Sequence, residues 1–277
     1  MRRLVLLAIL ASSLLQAQGP TGWQGWIDSG ARAFSARNYT EAVNAFQRAG
    51  YLHADDVMTK LYLGAAHMNV WLKDRATNAD SAFEAEEQFR RVLITQPEND
   101  TALLWLGSLL LQQKRLDEAE IIYGKAAKLV RNKSAVCDAS YAIGVIAWSR
   151  WFTRYAEESP KLEPATLGVG PLEDSALKQD LRNRYGASMD EALTRLQTAR
   201  GGGQCRANAA AYRSLLFRQL AAIAADRVEH TLNMRRAEDV EAEAGPGAAE
   251  LRAKLETSPQ LIPPPLPAMV FDYSERD

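Results

Sequence analysis

Along most of this chain apolar residues recur at intervals of three and four, and short polar runs separate the apolar blocks. That period belongs to α-helices that bury one face, and the alternation expected of strands is not sustained anywhere. One block places Leu103, Leu106, Gly107, Leu116, Ala119, Tyr123 and Ala126 in register, and an earlier one places Trp26, Gly30, Tyr39, Ala42, Phe46 and Ala49. In both, the glycine precedes the alanine by twelve residues. A glycine on one helix facing an alanine on the next lets two antiparallel backbones approach, and a large ring fills the hole beside them.

Two further blocks carry the same signature with extra residues inside. Gly64 and Ala85 are separated by twenty-one residues, and Gly144 and Ala192 by forty-eight. The first excess falls around Val70 to Asp80. The second, about 150–186, holds Pro160, Pro164, Gly168, Gly170 and Pro171 and reads as an irregular excursion with a short helix over Leu172 to Tyr185. A fifth, degenerate block combines an apolar stripe from Ala209 to Leu220 with a charged helix from Val228 to Ala244, the polar face a terminal repeat presents to water.

On these residues the chain resembles the tetratricopeptide-repeat family. The resemblance implies an all-α, right-handed α-solenoid of about five antiparallel helix pairs, at about 23–56, 57–99, 100–136, 137–204 and 205–244, with inserts in the second and fourth pairs. The repeat domain spans 19–244, and 245–277 adds a short helix and a proline-rich tail. In this family the first helices line an inner wall that holds an extended peptide or a partner helix. Carried over by register, the partner-binding face comprises Ile27, Phe34, Leu61, Met68, Leu104, Leu111, Tyr141 and Trp148, with Trp151 extending its aromatic row. The row is apolar and lacks the basic residues and asparagines with which some family members clamp acidic peptide ends.

An apolar content of 47 % and a charged content of 24 % suit a protein with a sizeable core, and a formal net charge of −1 gives no basic face for nucleic acid. Residues 1–18 read as a secretory signal peptide: Arg2 and Arg3 precede an apolar stretch from Leu4 to Leu15, too short to span a bilayer. The expected location is therefore the periplasm, the cell envelope or the extracellular space, with no integral membrane span after signal removal. Export permits Cys137 and Cys205, the only two cysteines, to form a disulfide; the alternative is a pair of buried thiols.

Catalytic chemistry is not expected. His53, His67 and His230 have no metal-ligand spacing, Ser108 lacks a nucleophile elbow, and the acidic clusters Glu84, Glu86, Glu87 and Asp117, Glu118, Glu120 suit helix N-termini. No cofactor or metal is called for. The functional expectation is a non-catalytic exported scaffold for a protein or peptide partner, of unspecified oligomeric state. The alternative is a soluble receptor for an apolar small molecule or lipid held between the groove and the insert. An apolar groove does not stay open to water. The insert, the last helices, a partner segment, or the tail from Pro259, whose Leu261, Ile262 and Leu266 sit in polyproline-favouring sequence, are the candidates to cover it.

Overall fold

The computed structural model describes residues 20–129, 132–158, 176–199 and 203–257, which form eleven helices and no strand. They are α1 (Gly22–Ser35), α2 (Tyr39–Leu52), α3 (Val57–Lys73), α4 (Ala79–Thr95), α5 (Asp100–Gln112), α6 (Leu116–Ala126), α7 (Lys133–Glu158), α8 (Ala176–Thr198), α9 (Gly203–Ala222), α10 (Arg227–Ala244) and α11 (Pro246–Thr257). The chain divides into two compact units, the first ending at Pro97 and the second beginning at Glu98. In unit 1, α1 pairs with α2 and α3 with α4, and α2 packs on α3. In unit 2, the pairs are α5 with α6, α7 with α8 and α9 with α10, while α11 folds back onto α9 and α10.

The recurring glycine explains the pairing at atomic scale. A Cβ added to Gly30 would lie 2.4 Å from the Phe46 ring, one on Gly64 2.7 Å from Phe89, and one on Gly107 2.8 Å from Tyr123. At Gly144 the partner is Leu196, 2.5 Å away. Each large residue lies four positions after the alanine of its pair, so the alanine and the large side chain share one face of the second helix. The rule holds across the inserts, because Phe89 comes after Ala85 and Leu196 after Ala192 at that same spacing.

The inserts are accommodated largely by helix. In the second pair, α3 and α4 each have 17 residues, against 14 for α1 and α2. In the fourth, α7 continues to Glu158 and α8 begins at Ala176. The expected short helix ending at Tyr185 is therefore the first half of α8, which runs unbroken to Thr198. The signal segment, the remainder of the insert at 159–175 and the tail after Thr257 lie outside the described residues.

Three first helices, α3, α5 and α7, are capped by side chains: Asp56 accepts from the Thr59 amide at 2.6 Å, Asn99 from Ala102 at 2.9 Å, and Asn132 from Ala135 at 3.1 Å. At the turns of the first and third pairs, Arg37 and Lys114 adopt positive φ, 59° and 61°. The next amide in each turn donates five residues back, Asn38 to Ala33 and Arg115 to Leu110. This is a Schellman ending with a non-glycine residue in the left-handed position.

Candidate functional site

The first helices owe the direction of their inner face to the glycine contact. With about 100° of rotation per residue, Leu104, Ser108 and Leu111 lie together on one flank of α5, about 60°, 100° and 40° round the helix from Gly107. The same offset selects Tyr141, Val145 and Trp148 on α7, and Ile27 and Phe34 on α1. On α3 it selects Leu61, Ala65 and Met68.

In unit 1, Ile27, Leu61 and Met68 are buried, and Phe34 is partly exposed with its ring edge-on to Tyr39 at 5.2 Å. No residue of α3 from Val57 to Leu72 is fully exposed. Unit 1 also has a polar cleft of about 260 Å³ among the end of α2, α3 and α4. His67 lines it, buried, with its Nδ1 unpartnered. Burial pushes the His67 pKa down, against the opposing charge of Glu84. His53 stacks on Trp23 at 5.2 Å.

In unit 2, Leu104, Leu111, Tyr141, Trp148 and Trp151 are all buried. Ala102 to Leu111 is an unbroken run of buried residues on α5, and Cys137 to Trp148 is another on α7. What covers α7 is visible. Tyr212 of α9 meets Trp148 edge-on at 5.1 Å and Tyr141 at 6.0 Å. Phe152 stacks on Trp148 at 4.2 Å, and Tyr185 of α8 closes on Trp151 and Tyr155. The aromatic row of Trp148, Trp151, Phe152 and Tyr155 is thus part of a core shared with α8 and α9. The indole N–H groups of Trp148 and Trp151 are buried without an acceptor.

Cys137 and Cys205 form a disulfide, with Cα atoms 6.4 Å apart. It ties the start of α7 to the start of α9, adjacent first helices, and so holds the inner faces of two successive repeats in register. Asp138 beside it is buried, and desolvation pushes its pKa up to about 6. Its charge faces the Tyr123 and Tyr141 hydroxyls, whose own pKa values burial raises.

Most members of the acidic clusters pair with arginines. Glu86 pairs with Arg90 and Glu87 with Arg91, one turn apart. Asp117 and Glu120 of α6 both receive Arg150 of α7. A second network, which sequence reasoning missed, pins the end of unit 2: Glu241 accepts from Arg252 at 3.0 Å and lies beside Ser214 and Arg218. Its members come from α9, α10 and α11 and share no sequence spacing. Among the described residues no group of three or more His, Cys, Asp or Glu is placed to hold a metal, and no helix is long and apolar enough to cross a membrane. Ser108 is fully buried within α5.

A tetratricopeptide-repeat family model matches residues 81–136, from α4 to the first turn of α7. A comparison with curated proteins finds no match. A solved structure titled "MamA MSR-1 C2" aligns with 79 % of this chain and 97 % of its own at 17 % identity, with a TM-score of 0.45. The family match spans α5 and α6, and the glycine contact of that pair recurs in the first, second and fourth pairs, so the chain is similar to tetratricopeptide-repeat proteins beyond the matched segment as well.

Proposed function

We propose that this protein is a non-catalytic, exported scaffold that binds a protein or peptide segment along the inner face of its first helices. The observation that carries the reading is the register of that face: in every pair with the glycine contact, it is made of large apolar or aromatic residues with few charges. Buried apolar anchors are what give an interface its affinity. The Met1 to Ala17 pattern and the Cys137–Cys205 disulfide support an oxidising compartment, the periplasm or cell envelope.

A photo-reactive phenylalanine analogue tests this at Phe34, on the inner face and partly exposed, with the outward Ile121, 62 % exposed, as the control. In envelope extracts one discrete protein adduct is expected from position 34 and none from 121. Equal labelling at both positions, or an adduct from 121 alone, overturns the inner-face assignment.

A further inference from the structure

Helix α3 of unit 1 has two flanks. Leu61, Ala65 and Met68 stand on one side of Gly64, and Lys60, Leu63 and His67 stand about 40°, 100° and 60° round the helix the other way. These three residues line the cleft of about 260 Å³ among the end of α2, α3 and α4. The cleft is thus separate from the inner face. Gly50, on its α2 wall, contributes no side chain, and a Cβ added there would meet nothing nearer than Thr59 Cγ2 at 3.7 Å.

Two observations make the cleft a site. The first is an orphan polar atom: His67 is 7 % exposed and its Nδ1 has no hydrogen-bond partner. Buried polar atoms are nearly always paired, so one left over beside a cavity shows where a ligand group fits. Burial keeps the imidazole neutral, and its ring therefore offers one donor and one acceptor. The second is charge left over. The Lys60 side chain is 18 % exposed, and its ion partner is the fully exposed Asp55, at 4.0 Å. Glu84 of α4 acts on His67 through its charge and makes no ion pair or hydrogen bond among the described residues. The remaining charges are engaged: Arg91 pairs with Glu87, and Asp56 caps α3 at Thr59. Lys60 and His67 are seven residues apart on α3. That is about 10 Å along the axis, the span of about three extended residues.

We propose that this cleft binds a short peptide of about three residues with both ends free, its carboxylate on Lys60 and its ammonium on Glu84. The amides of the peptide supply partners to His67 Nδ1 and to the buried Gln88, while Leu63 and Ala54 take small apolar side chains. A single amino acid is too short to reach both charges. The site goes beyond the scaffold reading and is independent of it, since it uses the flank of α3 opposite to Leu61, Ala65 and Met68.

The test titrates trialanine into the full chain by isothermal calorimetry, with N-acetyl-trialanine and trialanine amide probing each end. Capping either end should weaken binding at least about tenfold. In Glu84→Gln acetylation should cost less than about twofold, and in Lys60→Met amidation should do the same, because the partner of the capped end is already gone. Gly50→Leu fills the cleft and should abolish binding of all three peptides, with helicity checked by circular dichroism. The proposal is overturned by no saturable binding of trialanine at millimolar concentration, by sensitivity to capping at one end or neither, by capping costs that persist in the two charge variants, or by binding that survives in Gly50→Leu.

Discussion

In the third pair Gly107 takes the ring of Tyr123 between helices of 13 and 11 residues, whereas in the fourth Gly144 takes Leu196 between helices of 26 and 23. The central contact is the same, and the surroundings differ. The third pair ends α5 in a tight turn at Lys114, with Ala102 to Leu111 buried throughout. The fourth continues past the contact for further turns, is covered by Tyr185 of its own α8 and Tyr212 of α9, and is crosslinked to the next repeat through Cys137. One close approach defines the repeat, and helix length beyond it is free to build something else. Here the extra length builds an aromatic core.

That contrast breaks most sharply at the disulfide. Replacing Cys137 and Cys205 by serine should cost about 2–4 kcal/mol in denaturant unfolding of unit 2, with loss of the α7–α9 register. A loss under about 0.5 kcal/mol would make the crosslink incidental. Next comes the glycine itself. Gly144→Ala places a Cβ 2.5 Å from Leu196 Cγ and 3.0 Å from its backbone nitrogen, so a helix must move. Gly107→Ala meets only ring atoms of Tyr123, at 2.8–3.0 Å. Overpacking set against the helix propensity gained predicts losses of about 2 and about 1 kcal/mol respectively, read as shifts in the urea midpoint. The reverse order would mean that the fourth pair is the looser one.

A smaller effect separates the pairs by pH. The Asp138 carboxyl on α7, raised to about 6 by burial, favours the fold when protonated. Its contribution is complete below the unfolded-state value of 3.8 and is lost as pH rises through about 6. Asp138→Asn should therefore match the parent near pH 4 and exceed it by about 1 kcal/mol at pH 7, tracked by melting temperature across that range. A variant less stable than the parent at pH 7 would show that the carboxylate has a stabilising partner. Smallest of all, Lys114→Gly at φ 61° relieves the left-handed strain of the third pair's turn. A gain of about 0.5 kcal/mol is expected once the greater freedom of the unfolded glycine is subtracted, and thermal melts would show a gain of the same size for Arg37→Gly.

Much of this architecture is legible in the sequence. Gly30 with Ala42, and Gly107 with Ala119, announce the pairs because close packing admits few residues at those points. The same small residues locate the split pairs, Gly64 with Ala85 and Gly144 with Ala192. The caps Asp56, Asn99 and Asn132 stand just before apolar runs, a signal of helix starts that lies in the sequence itself. The left-handed turns at Arg37 and Lys114 leave no trace there, since neither is glycine or asparagine. The start of α8 at Ala176 is hidden by the prolines and glycines before it, which mark irregular chain without saying where it stops.

Of the proposed binding face, the sequence by itself determined which residues share one register, because a helix with one side pinned by glycine has no freedom to rotate the others. It likewise limited any internal disulfide to a single pair. Whether that face is open was a matter for tertiary structure alone. Tyr212 lies 64 residues from Trp148 and Tyr185 lies 34 from Trp151, so the closure of the aromatic row depends on α8 and α9 folding against α7. Periodicity reports which side of a helix seeks burial, and only long-range packing supplies the partner that provides it.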